Sequence, residues 1–154
     1  MTILRDDLRQ TKAFQSLHQE AFLNVARTEA VLHDGLDQVL GPLGLSLTQY
    51  NVLRMLRGAG IGGLCRNEIR DRLITRMPDV SRLLDRMEAA GLVHRVRSAE
   101  DRRLVNTTLT ERGGALVDEL DAEVAAVHAK QLGHLSEPQL RSLIELLSIA
   151  RSPS

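Results

Sequence analysis

The stretch MPDVSRLLDRM at residues 77–87, followed by AAGLVHRVR at residues 89–97, decides the fold expected for this chain. Its apolar residues recur at i, i+3, i+4 and i+7, which predicts one buried stripe of an amphipathic helix. The stripe consists of Val80, Leu83, Leu84 and Met87. The opposite face carries Pro78, Asp79, Arg82, Asp85 and Arg86. Gly91 suits the left-handed conformation that ends many helices, so the strand-like run after it starts a new element.

The segments on either side of this helix complete a larger unit. A polar turn at residues 98–102 separates strand-like runs at 92–97 and 103–109, so a β-hairpin is expected. Upstream lies a short predicted helix, and residues 74–76 form the turn that follows it. The buried face of that short helix carries Cys65, Ile69 and Leu73. The order helix, turn, helix, hairpin predicts a winged helix-turn-helix over residues 64–110.

A long helix is expected before this unit. Apolar residues keep helical spacing from about Thr11 to Leu40, which is about eight turns, and Gly41–Gly44 ends the pattern. The apolar positions are Phe14, Leu17, Ala21, Val25, Leu32, Leu36 and Val39. A helix of this length cannot be covered by its own domain, so it is either a spine or half of a dimer interface.

Capping signals predict three further helices. Ser46–Gln49 is a capping box for a helix that runs to about Gly58, and a glycine-rich connector then leads to a short strand near Leu64. Thr110 is the expected N-cap of a helix after the hairpin, and Ser136–Gln139 is a capping box with an early proline that opens the last helix. The apolar stripes of these two helices are Leu116, Leu120, Val124 and Val127, then Leu140, Leu143, Ile144 and Leu147.

Composition favours a mainly α protein with no generic affinity for polyanions. Hydrophobic residues make up 43% of the 154 residues and aromatic ones only 2%, which suits helices better than a sandwich or barrel. The net charge is zero, but residues 66–103 hold ten arginines against seven acids, and residues 104–154 hold four basic residues against seven acids. The basic excess therefore lies on the predicted winged unit. Arginine suits phosphate and guanine edges, although arginine-rich surfaces also arise in high-GC genomes without a functional reason.

The sequence offers no catalytic or metal-binding pattern. It has no nucleophile paired with a base and no phosphate-cradling glycine motif, and its five histidines lack ligand-like spacing. We therefore predict no enzyme activity, no cofactor and no metal site.

Cys65 is either an oxidant sensor or, as its apolar face favours, a packing residue. With one cysteine, no secretory signal and no apolar run of membrane-spanning length, a cytoplasmic location is expected.

Three segments give the chain a resemblance to a known family: LTQYNVL at 47–53, VSRLLDRMEAAGLV at 80–93, and DRR at 101–103 leading to LTERG at 109–113. They resemble the MarR family of bacterial transcriptional regulators. The resemblance implies a winged helix-turn-helix protein that binds double-stranded DNA as a homodimer with interlocking terminal helices. In that family an Asp-x-Arg pair at the wing tip places the arginine in the minor groove while the aspartate orients it, and the matching residues are Asp101 and Arg103. The chain departs from the family at His94, at residues 76–79 and in lacking a glycine in the turn.

The predicted recognition helix is expected to meet DNA through its exposed residues. Arg82 and Arg86 are the expected base or phosphate contacts, and the alternative is a solvated face in which they pair with Asp79 and Asp85. Asp79 either accepts from a cytosine amino group or stabilises the first turn of the helix. The full set of candidate DNA-binding residues is Arg66, Asn67, Thr75, Arg76, Pro78, Asp79, Ser81, Arg82, Arg86, Arg97, Asp101, Arg102 and Arg103.

One interwoven domain with two regions is expected. Residues 46–110 form the winged DNA-binding region, and residues 1–45 and 111–154 form a helical dimerisation region. The candidate interface residues are Phe14, Leu17, Ala21, Leu140, Leu143, Ile144 and Leu147. The expected function is a sequence-specific repressor that acts as a homodimer on an inverted-repeat operator and responds to a small lipophilic or aromatic ligand. The alternative is a winged-helix protein-interaction module or a constitutive architectural DNA binder without an effector.

Overall fold

The computed structural model describes residues 3–152, which form seven α-helices and a small antiparallel sheet of three strands. In chain order the elements are α1 (Ile3–Asp7), α2 (Leu17–Leu40), α3 (Leu47–Ala59), β1 (Leu64–Cys65), α4 (Arg66–Arg72), α5 (Val80–Ala89), β2 (Val93–Arg97), β3 (Val105–Leu109), α6 (Glu111–Leu132) and α7 (Glu137–Arg151). The two outermost residues at each end of the predicted dimerisation region lie outside the described residues. Among the described residues, no helix combines the length and the hydrophobicity that crossing a membrane requires.

The long helix α2 begins at Leu17 and not near Thr11, so the predicted start was wrong. The side chain of Ser16 accepts a hydrogen bond from the backbone N–H of Gln19 at 3.1 Å, which makes Ser16 the N-cap. A helix begins where a side chain caps the free backbone N–H groups of its first turn, and apolar spacing does not show where that is. Because the cap is Ser16, Phe14 precedes the helix. The short helix α1 was not predicted.

The start of α5 also differs from the prediction: the helix begins at Val80, so Pro78 and Asp79 precede it and do not lie on its exposed face. Three other helix ends agree with their sequence signals. The side chain of Gln49 accepts from the N–H of Ser46 at 2.9 Å, and Ser46 accepts in return from the N–H of Gln49 at 3.2 Å. Thr110 accepts from the N–H of Gly113 at 2.9 Å, as expected of an N-cap. Gly91 has φ 71°, the left-handed conformation predicted at the end of α5.

The hairpin is shorter than the apolar pattern predicted. It pairs from Val93 opposite Leu109 to Arg97 opposite Val105, so Arg103 lies in the connecting loop and not on the second strand. Strand β1 pairs with the other edge of β3, and the sheet order is therefore β1-β3-β2. The loop between β2 and β3 is the wing tip.

One hydrophobic core joins the end of α2 to α3, α4, α5, α6 and the sheet. Its most completely buried side chains include Leu40, Leu53, Leu56, Ile69, Leu83, Met87, Val93, Val117 and Leu120. Cys65 is only half-buried, because it is the N-cap of α4 and not a residue of that helix's buried face as predicted. Of the described α2 residues only Leu36 and Leu40 are buried, and within Glu137–Arg151 no residue is. Most of α2 and all of α7 therefore lie outside the core.

Candidate nucleic-acid interface

The core fixes which face of α5 is exposed. Its four apolar stripe residues are at most 4% exposed, so the remaining side chains are directed away from the core. Arg82 is 81% exposed, and its Nε lies 3.2 Å from Asp79 Oδ2. Asp79 precedes the helix as its N-cap and accepts from the backbone N–H of Arg82 at 3.0 Å. The carboxylate of Asp79 is thus engaged at the first turn of α5, which favours helix stabilisation over contact with cytosine.

Arg86 has a different environment from Arg82. It is exposed, and none of the described carboxylates lies within ion-pairing distance of it. Asp85, the partner that the ion-paired alternative required, binds Arg95 instead. The charge of Arg86 is therefore available to a ligand.

Arg95 is a residue of the wing that the sequence did not indicate as a candidate. Its guanidinium pairs with Asp85, and its Nε lies 3.5 Å from a carboxylate oxygen of Glu88. Its backbone N–H also donates to Glu88 at 3.2 Å. Arg95 therefore joins β2 of the wing to α5. Alternation along β2 puts Arg95 on the same face as the buried Val93, and that alternation was the signal in the sequence.

A groove of about 350 Å³ lies between α4, α5 and the wing. Its lining comprises Cys65, Arg66, Asn67, Ser81, Leu84, Arg95, Arg103, Leu104, Val105 and Thr107. Four of the candidate DNA-binding residues therefore meet at one place: Arg66, Asn67, Ser81 and Arg103. Arg66 also donates to Ser81 Oγ at 3.4 Å, which links the start of α4 to the first turn of α5. Among the described residues no acid pairs with Arg66 or Arg103, so their charge suits phosphate oxygens, whereas the guanidinium of Arg95 is already paired with Asp85 and Glu88.

The loop between β2 and β3 is held by its own hydrogen bonds. Asp101 Oδ1 accepts from the backbone N–H of Arg103 at 2.9 Å, and the carbonyl of Asp101 accepts from the N–H of Leu104 at 2.9 Å. Ser98 donates its N–H to the carbonyl of Leu104 at 2.9 Å and accepts at Oγ from the N–H of Asp101 at 3.3 Å. Asp101 therefore orients the backbone of Arg103, and Arg103 lines the groove.

The remaining candidate residues lie around this groove without lining it. Arg82 follows the groove residue Ser81 by one position and so points roughly 100° further round α5, and Arg86 lies about one turn beyond Arg82 on the same side. Thr75, Arg76 and Pro78 are exposed in the segment between α4 and α5, and Arg97, Asp101 and Arg102 are exposed on the wing. The groove and these flanking residues together form one basic surface over α4, α5 and the wing.

The start of α4 is fixed by a hydrogen bond of Glu68. The backbone N–H of Cys65 donates to Glu68 Oε2 at 2.8 Å, and this bond holds the pKa of Glu68 below its ordinary value. Glu68 therefore stays ionised and keeps the first turn of α4 closed. Within residues 3–152, no three His, Cys, Asp or Glu side chains cluster as metal ligands would.

The candidate interface residues lie on α2 and α7, the two helices outside the core, except Phe14, which precedes α2. Leu17 is 82% exposed and Ile144 is 64% exposed, and Ala21 is exposed as well. The half-buried members of the set are Phe14, Leu140, Leu143 and Leu147. In the single chain these side chains thus form an apolar surface that is only partly covered.

Comparison with known proteins agrees with this geometry. The family described as "MarR family" matches residues 43–104. An HTH-type transcriptional repressor of Mycobacterium tuberculosis is 35% identical over 121 residues, covering 79% of this chain and 86% of the relative. The crystal structure of a MarR transcription factor from Planctomyces limnophilus is 39% identical with a TM-score of 0.67, covering 89% of this chain and 99% of that one.

A mutant MarR from E. coli, crystallised with operator DNA, has a TM-score of 0.76 at 20% identity and covers 97% of this chain and 99% of that one. At this identity the likeness bears on the fold alone, and it confirms the predicted mainly α, winged helix-turn-helix architecture. The relatives are regulators and not enzymes, as expected for this chain. From its winged unit, its basic groove and these relatives, we conclude that the chain belongs to the MarR family of DNA-binding transcriptional regulators.

Proposed function

We propose that this regulator is a ligand-responsive repressor that binds an inverted-repeat operator as a homodimer. The observation that carries the proposal is the basic surface, where Arg66, Arg95 and Arg103 surround one groove beside the exposed arginines of α5. Such a surface provides both phosphate contacts, which position a protein on DNA, and side chains that reach base edges.

The proposed docking places α5 in the major groove. Arg82 and Arg86 meet base edges or phosphates there, and Arg66 and Asn67 hold the backbone at the start of α4. Arg103 at the wing enters the adjacent minor groove, where a narrow groove concentrates negative potential and is recognised by shape. In a symmetric dimer this docking occurs twice, so the half-sites should lie about 10 base pairs apart, centre to centre.

Dimerisation is supported by the apolar side chains that α2 and α7 leave exposed. These are Leu17, Phe22, Val25, Val31, Ile144, Leu146 and Ile149, all at least half exposed in the single chain. Exposed large apolar side chains on two helices outside the core support an interaction site there. A second copy covers it in the proposed assembly, with both terminal regions contributing.

Regulation by a small lipophilic or aromatic ligand is the second part of the proposal. The ligand binds between the dimer helices and the winged unit, in the cytoplasm where the operator is, and no cofactor is required. Coupling between two such sites is typically about 1–3 kcal/mol, or roughly 5- to 150-fold in DNA affinity. Release of labelled operator on titration with aromatic carboxylates and phenols tests this part.

The test of the DNA-binding proposal uses the gene's own promoter region. The full chain is titrated at physiological salt against the promoter's inverted repeat, a single half-site and random DNA. Arg86→Ala should weaken binding to the repeat by roughly 5- to 150-fold, because each base-edge arginine contributes about 1–3 kcal/mol. Lys130→Ala, which removes one charge from the last turn of α6, is the matched control and should bind as the parent does.

Equal affinity for the repeat and random DNA would instead indicate a constitutive architectural binder, and no affinity for either would indicate a protein-interaction module.

A further inference from the structure

Helix α6 connects the winged unit to the helices outside the core. It begins directly after β3, and its first half contributes Val117 and Leu120 to the common core. Near its other end, Gln131 Nε2 donates to the backbone carbonyl of Leu32 in α2 at 2.9 Å. If the first half of α6 is inclined differently against the winged unit, the contact between Gln131 and α2 is therefore displaced as well.

Four polar residues fasten the first half of α6 to α3. Tyr50 Oη donates to Asp121 Oδ1 at 2.8 Å, and Arg57 Nη2 donates to Asp121 Oδ2 at 2.5 Å. The second arm of Arg57, Nη1, donates to Asp118 Oδ1 at 2.8 Å. We call Tyr50, Arg57, Asp118 and Asp121 the α3–α6 clamp. Arg54 lies beside it, with its guanidinium carbon 6.0 Å from the centre of the Tyr50 ring.

The protonation states of the clamp are stable at neutral pH. Burial and the hydrogen bond to Asp121 raise the pKa of Tyr50 to about 12, so the phenol keeps the proton that it donates. The hydrogen bond from Arg57, followed by that from Tyr50, holds the pKa of Asp121 below its ordinary value, so the carboxylate stays an acceptor. The clamp therefore remains closed over the range in which a cell works.

Directional bonds restrict the packing of two helices more than apolar contacts do. Tyr50 is 2% exposed, and a phenylalanine would fill the same volume without a hydroxyl that must reach Asp121. Hydrogen bonds have narrow preferences in distance and angle, whereas apolar side chains tolerate sliding and repacking. The bidentate contact of Arg57 with two acids one turn apart on α6 adds a second fixed point.

A small change in the tilt of α6 at this clamp displaces the far end of the helix. A tilt of roughly 10° acting over the roughly 17 Å from Asp121 to the end of α6 moves that end by about 3 Å, close to the roughly 3.4 Å rise of one base pair. We propose that the α3–α6 clamp sets the inclination of α6 against the winged unit, and thereby the distance between the two recognition helices that selects the operator's half-site spacing. Tyr50, Arg57 and Asp121 are then positioning residues for DNA recognition. The inference rests on the proposed dimeric function.

The test compares operators that differ only in spacing. The full chain is titrated against duplexes with identical half-sites whose centres are separated by the preferred distance, one base pair less or one base pair more. The parent should prefer one spacing by about 10-fold or more, which is about 1.4 kcal/mol. Tyr50→Phe and Asp121→Asn should reduce this preference to roughly 3-fold or less, because the affinity for altered spacings rises relative to the preferred one.

A matched control separates positioning from stability. Val52→Ala truncates a fully buried residue of α3 and leaves the clamp in place, so it should lower stability while keeping the spacing preference. If Tyr50→Phe and Asp121→Asn keep the parental preference, the clamp does not set spacing, although the proposed function stands. If the parent itself binds a single half-site as well as any repeat, and sediments as a monomer, the dimeric function fails and the clamp inference with it.

Discussion

The carboxylate of Asp101 accepts a hydrogen bond from the backbone N–H of Arg103 at 2.9 Å, and the side chain of Arg103 is thereby left free to line the groove. The aspartate acts on the arginine's backbone, because it closes the turn that aims the side chain. The acid and the base, two residues apart at the wing tip, thus have separate roles in the structure. Asp101 shapes the loop, and Arg103 presents charge.

Removing the side chain of Arg103 should therefore weaken DNA binding without unfolding the protein. Arg103→Ala is expected to lower operator affinity roughly 5- to 150-fold and to reduce the log-log salt slope by about 0.9 per lost phosphate contact. Mobility-shift titrations at several salt concentrations measure both quantities, and sedimentation verifies that the assembly is unchanged. Unaltered binding would remove the wing from the mechanism.

Asp101→Ala should weaken operator binding less than Arg103→Ala does, and it should leave the salt dependence unchanged. The charge of Arg103 remains, so the salt slope should stay parental while affinity falls by a few-fold, because the loop loses the bond that orders it. Titration against the same salt series distinguishes the two variants. A salt slope that falls as far as that of Arg103→Ala would contradict the separate roles assigned to the two residues.

Arg95 should contribute to both stability and DNA binding, because it ties the wing to α5. Its side chain is 29% exposed and meets Asp85 and Glu88, so Arg95→Ala should lower the free energy of unfolding by about 1–2 kcal/mol. Operator affinity should fall as well, since the wing is no longer held against the recognition helix. Urea unfolding and DNA titration measure the two effects.

Arg97→Ala is the matched control for Arg95, because it removes an exposed arginine from the same face of β2. Its stability should stay within about 0.5 kcal/mol of the parent. A double-mutant cycle of Arg95→Ala with Asp85→Asn should show coupling between the two positions. Additive losses in that cycle would mean that the pair does not join the wing to α5.

Local signals in the sequence were enough to predict the elements that form the winged unit. The stripe on α5, the left-handed Gly91 and the cap at Thr110 each depend on residues within one or two turns of one another. Such patterns determine local hydrogen bonds and the face that is buried, so they carry over to the structure. The start of α2 was misplaced because Phe14 extends the apolar spacing, while Ser16 supplies the cap at which the helix begins.

Contacts between distant residues could not be predicted in the same way. Tyr50 and Asp121 are separated by 71 positions, and their hydrogen bond depends on how α3 packs against α6. The pairing of Arg95 with Asp85 likewise requires the hairpin to fold back along α5. Alternation along a strand predicts on which face of the sheet a charged residue lies. Only the tertiary arrangement determines which residue it pairs with.

Alkaline pH should destabilise the protein through Tyr50. The phenol has an ordinary pKa of 10.0 when exposed and about 12 in the fold, so the unfolded chain ionises first. Stability is therefore fully present below pH 10 and should decline as the pH rises from about 10 to about 12, by an amount on the order of 1–3 kcal/mol. Urea unfolding across this range should show the decline in the parent and a smaller one in Tyr50→Phe, which has no phenol to ionise. Identical pH profiles for the two proteins would mean that the hydroxyl of Tyr50 is not held as described.

Two neighbouring glycines at the start of α6 should respond in opposite ways to the same substitution. A Cβ at Gly113 would lie 2.1 Å from the backbone oxygen of Leu92, so α6 and the residue that precedes β2 would have to separate. A Cβ at Gly114 would meet no heavy atom of the rest of the described structure within 4 Å. Gly113→Ala should therefore destabilise the fold by about 1–3 kcal/mol, as overpacking does, whereas Gly114→Ala should stabilise it by about 0.5–1 kcal/mol through helix propensity. Because Gly113 lies where the wing joins α6, its substitution should also weaken operator binding. Equal stability of the two variants in urea unfolding would show that the close approach of Leu92 does not constrain this junction.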